Sequence, residues 1–274
     1  MFVHNSLLFV PGSRPDRFAK AKAAGAGLTI IDLEDAVPAD GKQSARDAAL
    51  AQMGQGADGW VIRINPVTTI TGIRDLAALA DAALLPPYIM LPMVESPVEI
   101  EIVAKALGTR RPPIIPLIET PKGLRHAHLI GAHDAVAAMM FGGGDFSSEL
   151  GVALEWTPLL GARSAFMLAC AEARVPAIDV PFIGMEDAAG LAEECAKARA
   201  LGFAAKAAVH PSHVGPIEAA FTPSLAEVAE AEAALAAYAA ADGGVARFRG
   251  KILEAPLVAR YRAVLSRKGK QQDA

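Results

Sequence analysis

The residues best able to do chemistry fall at the ends of short apolar runs. Glu119 closes one such run, and Asp145 follows another after the stretch Gly142-Gly143-Gly144. Two carboxylates brought to one point, with other coordination positions open, suit Mg2+, which keeps waters and accepts substrate oxygens. The glycines before Asp145, Gly144 among them, carry no side chain and let a ligand approach the backbone. Asp145 also precedes Phe146-Ser147-Ser148, where it could do no more than cap a helix. Arg63 stands inside the run Val61-Ile62-Arg63-Ile64-Asn65. A buried guanidinium needs a carboxylate partner, and Glu34 and Asp35 are candidates. The same group suits a substrate carboxylate or a developing oxyanion, and the two roles are compatible. Asp32, Glu95, Asp179 and His210 share these run ends. Acidic groups converge in a core only when paired or when they hold a metal.

The loop Pro11-Gly12-Ser13-Arg14-Pro15-Asp16-Arg17, with Lys20 and Lys22, is locally basic. A helix start beside Arg14 and Arg17 suits phosphate, and a solvated helix face fits equally well. His210 and His213 are separated by Pro211-Ser212, a turn, which favours hydrogen-bonded structural histidines over a metal pair. The triple glycine is not followed by Gly-Lys-Ser/Thr, so it is not a P-loop.

Positioning these residues falls to eight runs, at 7–10, 28–34, 60–65, 88–94, 114–120, 136–142, 177–182 and 204–210. Most are apolar throughout, as strands buried on both faces should be. Helical stretches lie between them, at 16–25, 43–54, 75–83, 97–107, 123–131, 158–174 and 187–201. Alternation of this kind predicts parallel strands with right-handed crossovers, and eight units predict an α/β (β/α)8 TIM barrel. A doubly wound open sheet is the alternative, but no Gly-x-Gly-x-x-Gly turn follows the first run. Ser96-Pro97 with Glu99 marks a helix start, and Gly25, Gly108, Gly131 and Gly202 fall where helices should stop. The barrel is expected over 1–222. A C-terminal helical extension over 223–274 follows, with a helix at 223–241 closed by Asp242-Gly243-Gly244 and a polar, frayed end from 267.

Composition narrows the function classes. The 274 residues carry 26 basic and 30 acidic side chains, a net charge of −4, which argues against a nucleic-acid partner. Mean hydropathy is +0.31, raised by alanine, yet no window offers the ~18 continuous apolar residues of a membrane span. No basic segment followed by an apolar core opens the chain. Cys170 and Cys195 read as reduced, buried thiols of a cytoplasmic protein.

Six segments, in order along nearly the whole chain, resemble the citrate lyase beta-subunit-like branch of the HpcH/HpaI aldolase/citrate lyase family. They are Leu8-Phe9-Val10-Pro11-Gly12, Ile31-Asp32-Leu33-Glu34-Asp35-Ala36-Val37, Arg63-Ile64-Asn65-Pro66, Ile118-Glu119-Thr120-Pro121-Lys122-Gly123, Phe141-Gly142-Gly143-Gly144-Asp145 and 202–211. The resemblance implies a barrel with Mg2+ on Glu119 and Asp145, and Arg63 at the reacting carbonyl and enolate. It implies that Glu34 and Asp35 hold water at the metal and orient Arg63, and that Arg14 and Arg17 meet the phosphates of CoA. The activity implied is cleavage or formation of a carbon–carbon bond in a short 3-hydroxy dicarboxylic acyl-CoA such as malyl-, citramalyl- or citryl-CoA. A homotrimer or hexamer is implied, with the C-terminal segment reaching a neighbour's site.

Three positions depart from the family pattern. Where relatives carry aspartate in a Gly-x-Met-Ile-Asp stretch as acid or base, this chain reads Gly250-Lys251-Ile252-Leu253-Glu254, so Glu254 offers a carboxylate one methylene longer. Met93 replaces a lysine after Leu91-Pro92, and Ala205 stands where glycine is common before Lys206. A CoA-independent pyruvate aldolase acting on a 2-oxo acid shares the fold and is a second expectation. A non-catalytic CoA-binding relative is a third, motivated by Met93 and Glu254.

Overall fold

A computed structural model describes residues 2–241 and 245–272. The chain divides into two compact units, Met1–Glu218 and Ala219–Ala274. In the first, eight parallel strands close into a barrel in sequence order. They are β1 (Ser6–Pro11), β2 (Leu28–Asp32), β3 (Trp60–Arg63), β4 (Tyr88–Leu91), β5 (Ile114–Ile118), β6 (Met139–Phe141), β7 (Ala177–Asp179) and β8 (Ala205–Ala208). The barrel closes where β1 pairs with β8, Leu7 opposite Ala207. The (β/α)8 expectation therefore holds, and the open sheet does not.

Strand side chains alternate between faces, and here one parity fills the barrel. Leu7, Leu28, Ile30, Val61, Met90, Ile115, Leu117, Met140, Ile178, Ala205 and Ala207 form a single buried core. Phe2 joins it and meets the Tyr88 ring edge-on at 5.9 Å. Continuing the same parity to the strand ends brings Phe9, Asp32, Arg63, Glu119, Gly142, Val180 and Val209 to the C-terminal mouth. The opposite parity faces the helices.

Several strands stop sooner than their apolar runs, each for a local reason. β2 ends at Asp32 because that carboxylate accepts the N–H groups of Glu34 (2.9 Å) and Ala36 (3.2 Å) and turns the chain. β3 ends at Arg63, and the N–H of Asn65 goes to Asp75 Oδ2 at 2.8 Å instead of to a neighbouring strand. Val136 keeps one isolated bridge to Ile114 ahead of β6.

The helices are α1 (Phe18–Lys22), α2 (Lys42–Gln55), α3 (Ile70–Asp81), α4 (Pro97–Leu107), α5 (Pro121–Gly131), α6 (Gly143–Leu150), α7 (Trp156–Ala173), α8 (Ala188–Leu201) and α9 (Val214–Phe221). α3 starts five residues earlier than its apolar pattern because Thr69 caps it, accepting from the N–H of Gly72 at 3.1 Å. Thr120 starts α5 in the same way. α5 ends at Gly131 as expected, though Gly131 takes no left-handed φ: it is the last residue of the helix and buried, and a Cβ there would stand 2.8 Å from Ala173 Cβ. Two short helices, α6 and α9, were not legible as helical runs. Cys170 and Cys195 are free and buried, and burial pushes their thiols up to about 12 and about 11.

The second unit pairs α10 (Leu225–Ala240) with α11 (Ala255–Gln272). A capping box of Ser224 and Glu227 opens α10. Its expected stop at Asp242-Gly243-Gly244 lies outside the described residues. Between the helices, β9 (Arg247–Phe248) and β10 (Lys251–Ile252) form a hairpin. Its two-residue turn, Arg249-Gly250, has φ of 47° and 76°, the twist that tight hairpins favour. Ala234, Ala246, Leu253 and Val258 form this unit's core. α11 continues to Gln272, past the point at which the composition suggested a frayed end.

Candidate active site

A cavity of about 460 Å³ opens at the C-terminal mouth of the barrel. Its two sides differ in chemistry. Asp32 and Asp35 from the end of β2, Arg63 from β3, Glu119 after β5 and Asp145 in the first turn of α6 line one side. Leu154, Val180, Pro181, Ile183 and Val209 line the other, with Phe9, Pro11, Leu117 and Met140 deeper or between.

Arg63 is fixed before any ligand arrives. Its Nε donates to Asp32 Oδ1 at 2.7 Å and its Nη2 to Asp32 Oδ2 at 2.6 Å, a two-pronged pair. Nη1 donates to Asp35 Oδ2 at 3.3 Å and lies 2.7 Å from Glu34 Oε2. The second contact lacks hydrogen-bond geometry, and Glu34 Oε2 is buried without a hydrogen-bond partner. The guanidinium lies 5.0 Å from the Phe9 ring centre. Behind it, Lys42 Nζ donates to the carbonyls of Leu33 (2.8 Å) and Glu34 (2.7 Å) and to Asn65 Oδ1 (2.7 Å), pinning the acidic loop. Asn65 in turn donates to Asp75, which pairs with Arg46.

Glu119 is held from two directions. Its Oε2 accepts the N–H of Met93 at 2.6 Å, and Met93 takes the left-handed φ of 54° that aims this N–H. On the far side, a Cβ at Gly142 would stand 2.1 Å from Glu119 Cγ, so only glycine leaves room for the carboxylate. Gly144, by contrast, has nothing within 4 Å of its would-be Cβ and lines the cavity.

The acids here are short of positive charge. Burial pushes Glu34 up to about 8 despite Arg63, with Asp35, Glu119 and Asp32 adding repulsion. Burial pushes Glu119 up to about 7, against the Met93 N–H and Arg63, and Asp145 adds to the rise. Asp145 is raised by burial and by Asp35. Arg63 is raised above its ordinary value: burial opposes its charge, and Asp32, Glu34 and Asp35 outweigh that. Five carboxylates facing one guanidinium are what a divalent cation would relieve. Among the described residues no group of three or more His, Cys, Asp or Glu forms a metal cage. A pair such as Glu119 and Asp145, with other positions open to water and ligand oxygens, is the kind of donor set Mg2+ takes.

Of the residues singled out in the sequence, Asp35, Arg63, Glu119, Gly144 and Asp145 meet at the cavity, and Glu34 touches Arg63. Arg14 and Arg17 are exposed in the turn after β1 and do not line it; Arg14 pairs with Asp16 at 2.7 Å. Glu254 belongs to the second unit, exposed at the start of α11, where its carbonyl accepts the Val258 N–H at 3.0 Å. His210 caps a short turn, accepting from the Ser212 N–H, and His213 is buried beside Phe182. The sequence reading missed Asp32 as the main partner of Arg63, although strand parity places both inside the barrel. It also missed the Met93 N–H and the wall of Leu154 and Val180.

A closed parallel barrel that gathers acids and an arginine in one mouth defines a (β/α)8-barrel enzyme. The sequence profile of the HpcH/HpaI aldolase/citrate lyase family matches residues 5–211, and the chain belongs to that family. It is 33% identical over 257 residues to a (3S)-malyl-CoA thioesterase of Cereibacter sphaeroides, covering 91% of this chain and 89% of the relative. It is 28% identical over 278 residues to the mitochondrial citramalyl-CoA lyase of Homo sapiens, covering 92% and 82%. Its structure matches Mycobacterium tuberculosis CitE in complex with magnesium, acetoacetate and coenzyme A. That match has a TM-score of 0.83 at 32% identity and covers 97% of this chain and 98% of the other. Among the described residues, no helix is long and apolar enough to cross a membrane.

Proposed function

We propose that the protein is a Mg2+-dependent carbon–carbon lyase that cleaves, or forms, a short 3-hydroxy dicarboxylic acyl-CoA thioester of the malyl-, citramalyl- or citryl-CoA kind. The observation that carries this reading is Arg63, held on two prongs by Asp32 and sharing one cavity with Glu119 and Asp145.

Cleavage removes the 3-hydroxyl proton, breaks the bond between carbons 2 and 3, and leaves a 2-oxo acid and a thioester enolate that must be protonated. Bound to Glu119 and Asp145, Mg2+ would supply Lewis-acid charge to the 2-oxo acid half. Arg63 offers a fixed positive charge to the enolate oxygen, and needs no reorganisation because Asp32 already aims it. Glu34, raised to about 8, can hold or release a proton near neutral pH beside that guanidinium. Asp35 and Glu34 keep Arg63 oriented. Gly144, bare on the cavity side, lets the substrate lie against the backbone. Arg14 and Arg17, on the loop after β1, are assigned to the CoA phosphates. Glu254 is assigned the proton transfer at the thioester carbon, supplied by a neighbouring subunit of a homotrimer or hexamer in the cytoplasm.

The test is turnover of malyl-CoA and citramalyl-CoA with Mg2+, reading out acyl-CoA and 2-oxo acid together. Equal amounts of both, lost with EDTA, are expected. Free hydroxy diacid and CoA with no 2-oxo acid would show thioester hydrolysis, the activity named for the Cereibacter relative. No turnover of either thioester sinks the lyase reading.

A further inference from the structure

Glu34 touches the guanidinium of Arg63 without being bonded to it. Arg63 Nη1 lies 2.7 Å from Glu34 Oε2 outside hydrogen-bond geometry, and that oxygen is buried with no hydrogen-bond partner. Asp32 and Asp35 differ, since each accepts hydrogen bonds from Arg63. The place of the Glu34 carboxylate is therefore set by its backbone, and that backbone is gripped from outside the mouth.

The grip is Lys42, the first residue of α2. A lysine has three N–H donors, and here they meet three acceptors: the carbonyls of Leu33 and Glu34 and the side-chain oxygen of Asn65. Lys42 and Arg46 stand one turn apart on α2 and hold two ends of one bridge. Asn65 donates its N–H and its Nδ2 to Asp75 Oδ2 at 2.8 and 2.6 Å, and Asp75 Oδ1 accepts from Arg46 Nε at 2.7 Å. Arg46, Asn65 and Asp75 are all buried. The ammonium thus ties the turn after β2, which carries Glu34, to the loop after β3, the strand that ends at Arg63. Lys42, Arg46, Asn65 and Asp75 do not line the cavity, so they do not touch substrate.

We propose that Lys42 is a positioning residue for the carbon–carbon cleavage, acting through Glu34: its ammonium fixes the Leu33 and Glu34 carbonyls against Asn65 and so holds the Glu34 carboxylate beside Arg63. The proposal rests on the lyase reading above. Loss of the ammonium does not strip the turn of its bonds. The Leu33 carbonyl keeps Asn65 Nδ2 at 2.9 Å, and the Glu34 carbonyl keeps the Val37 N–H at 3.0 Å. The turn keeps these local bonds and loses its tie to α2.

The experiment is steady-state cleavage of malyl-CoA or citramalyl-CoA by the full chain at saturating Mg2+, in Lys42→Met, Glu34→Gln and the double variant. Lys42→Met is expected to lower kcat by about 10–100-fold. Its KM, and the Tm shift given by Mg2+, should stay close to those of the wild type, because the cavity lining, Glu119 and Asp145 are untouched. In the Glu34→Gln background the same substitution should cost no more than about twofold, since the carboxylate it positions is already gone. Lys42→Cys treated with 2-bromoethylamine regains an ammonium at the reach of lysine, and most of the lost kcat should return; Cys170 and Cys195 are buried, and treated wild type is the control. Wild-type kcat in Lys42→Met, a rise in KM alone, or no recovery after complete aminoethylation overturns the proposal. So does an equal cost in both backgrounds, which would make Lys42 a support of the fold and nothing more. Each of these leaves the lyase reading intact. A wild type that cleaves neither thioester fells both.

Discussion

Two clusters of charge lie on opposite faces of the same barrel wall, and they differ in balance. Inside the mouth, Asp32, Glu34, Asp35, Glu119 and Asp145 surround a single guanidinium, Arg63. Outside the wall, Asp179 of β7 pairs with Arg163 of α7 at 3.0 Å and with Lys206 of β8 at 2.7 Å, and Lys206 also pairs with Glu194 of α8 at 2.6 Å. Two acids there meet two bases. The outer cluster satisfies itself: Lys206 is raised because Asp179 and Glu194 outweigh the burial that opposes its charge. Arg163 Nη1, buried with no hydrogen-bond partner, lies in a guanidinium 4.7 Å from the Trp156 ring centre and 5.4 Å from that of Phe141. The inner cluster does not satisfy itself, and Glu34, Glu119 and Asp145 rise. Burial of charge therefore does not mark a functional site. Imbalance between the acids and the bases that meet does.

The sharpest way to break this contrast is to neutralise one acid on each face. Glu119→Gln or Asp145→Asn should cut turnover of the hydroxyacyl-CoA by about a thousandfold, the worth of several kcal/mol of transition-state charge stabilisation. The metal-free Tm should stay level or rise, because a repelling charge has gone. Full activity in either variant would remove that residue from the proposed metal pair. On the outer face, Lys206→Met leaves Asp179 with Arg163 alone and takes from Glu194 its pairing with Lys206, and should cost about 3–5 kcal/mol of stability in denaturant unfolding. Its turnover per folded molecule should fall far less than that of Glu119→Gln. A Lys206→Met protein as stable as the wild type would show that the balance is not what holds the wall.

The pH dependence separates the clusters next. Glu34 and Glu119 rise from an ordinary 4.5 to about 8 and about 7 in the folded chain. Between 4.5 and these values the folded state binds more protons than the unfolded one, so metal-free stability should fall as pH rises through that window. The stabilisation these two groups give is present while they are protonated and is lost as they ionise. Saturating Mg2+ favours the ionised acids and should flatten the slope, raising Tm more at pH ~8 than at pH ~6. Lys206, raised above its ordinary 10.5, contributes stability that is lost only above that value and adds nothing to this slope. Tm measured across pH with and without Mg2+ checks the sign; a metal-free Tm that climbs from pH ~5 to ~8 contradicts it.

The same strand parity shows how far the sequence could be read. The eight apolar runs located every strand of the barrel, because a strand buried on both faces is apolar along its whole length. That uniformity also hides which residues face inward. Asp179 and Asp32 sit at equivalent run ends, yet Asp179 points to α7 and Asp32 into the mouth. Counting by twos from Ile178 and Ile30, both in the barrel core, separates them. Glu119, Asp145 and Arg63 were legible because polar residues at apolar run ends are costly without a task. Met93 was legible only as a departure from the family pattern. Its contribution, an N–H aimed by a left-handed backbone, leaves no mark on residue type. Helix α6 was hidden because its first turn is glycine, which sequence propensity assigns to loops.

The triple glycine gives the smallest and finest contrast, since its members look alike in sequence and differ in what they face. Gly142→Ala puts a methyl 2.1 Å from Glu119 Cγ, and the side chain must leave its bond to the Met93 N–H. Mg2+ affinity, read from the Tm shift it produces, should drop together with turnover. Gly144→Ala meets nothing within 4 Å and sits in the first turn of α6, where alanine favours helix by up to about 1 kcal/mol. Its Tm, and the shift Mg2+ gives it, should match or slightly exceed those of the wild type. Its KM for the hydroxyacyl-CoA should nevertheless rise, because the added methyl projects into space the substrate is proposed to use. An unchanged KM would place the substrate away from this stretch of backbone. A fall in the Mg2+ shift would mean that Gly144, like Gly142, serves the carboxylates and not the ligand.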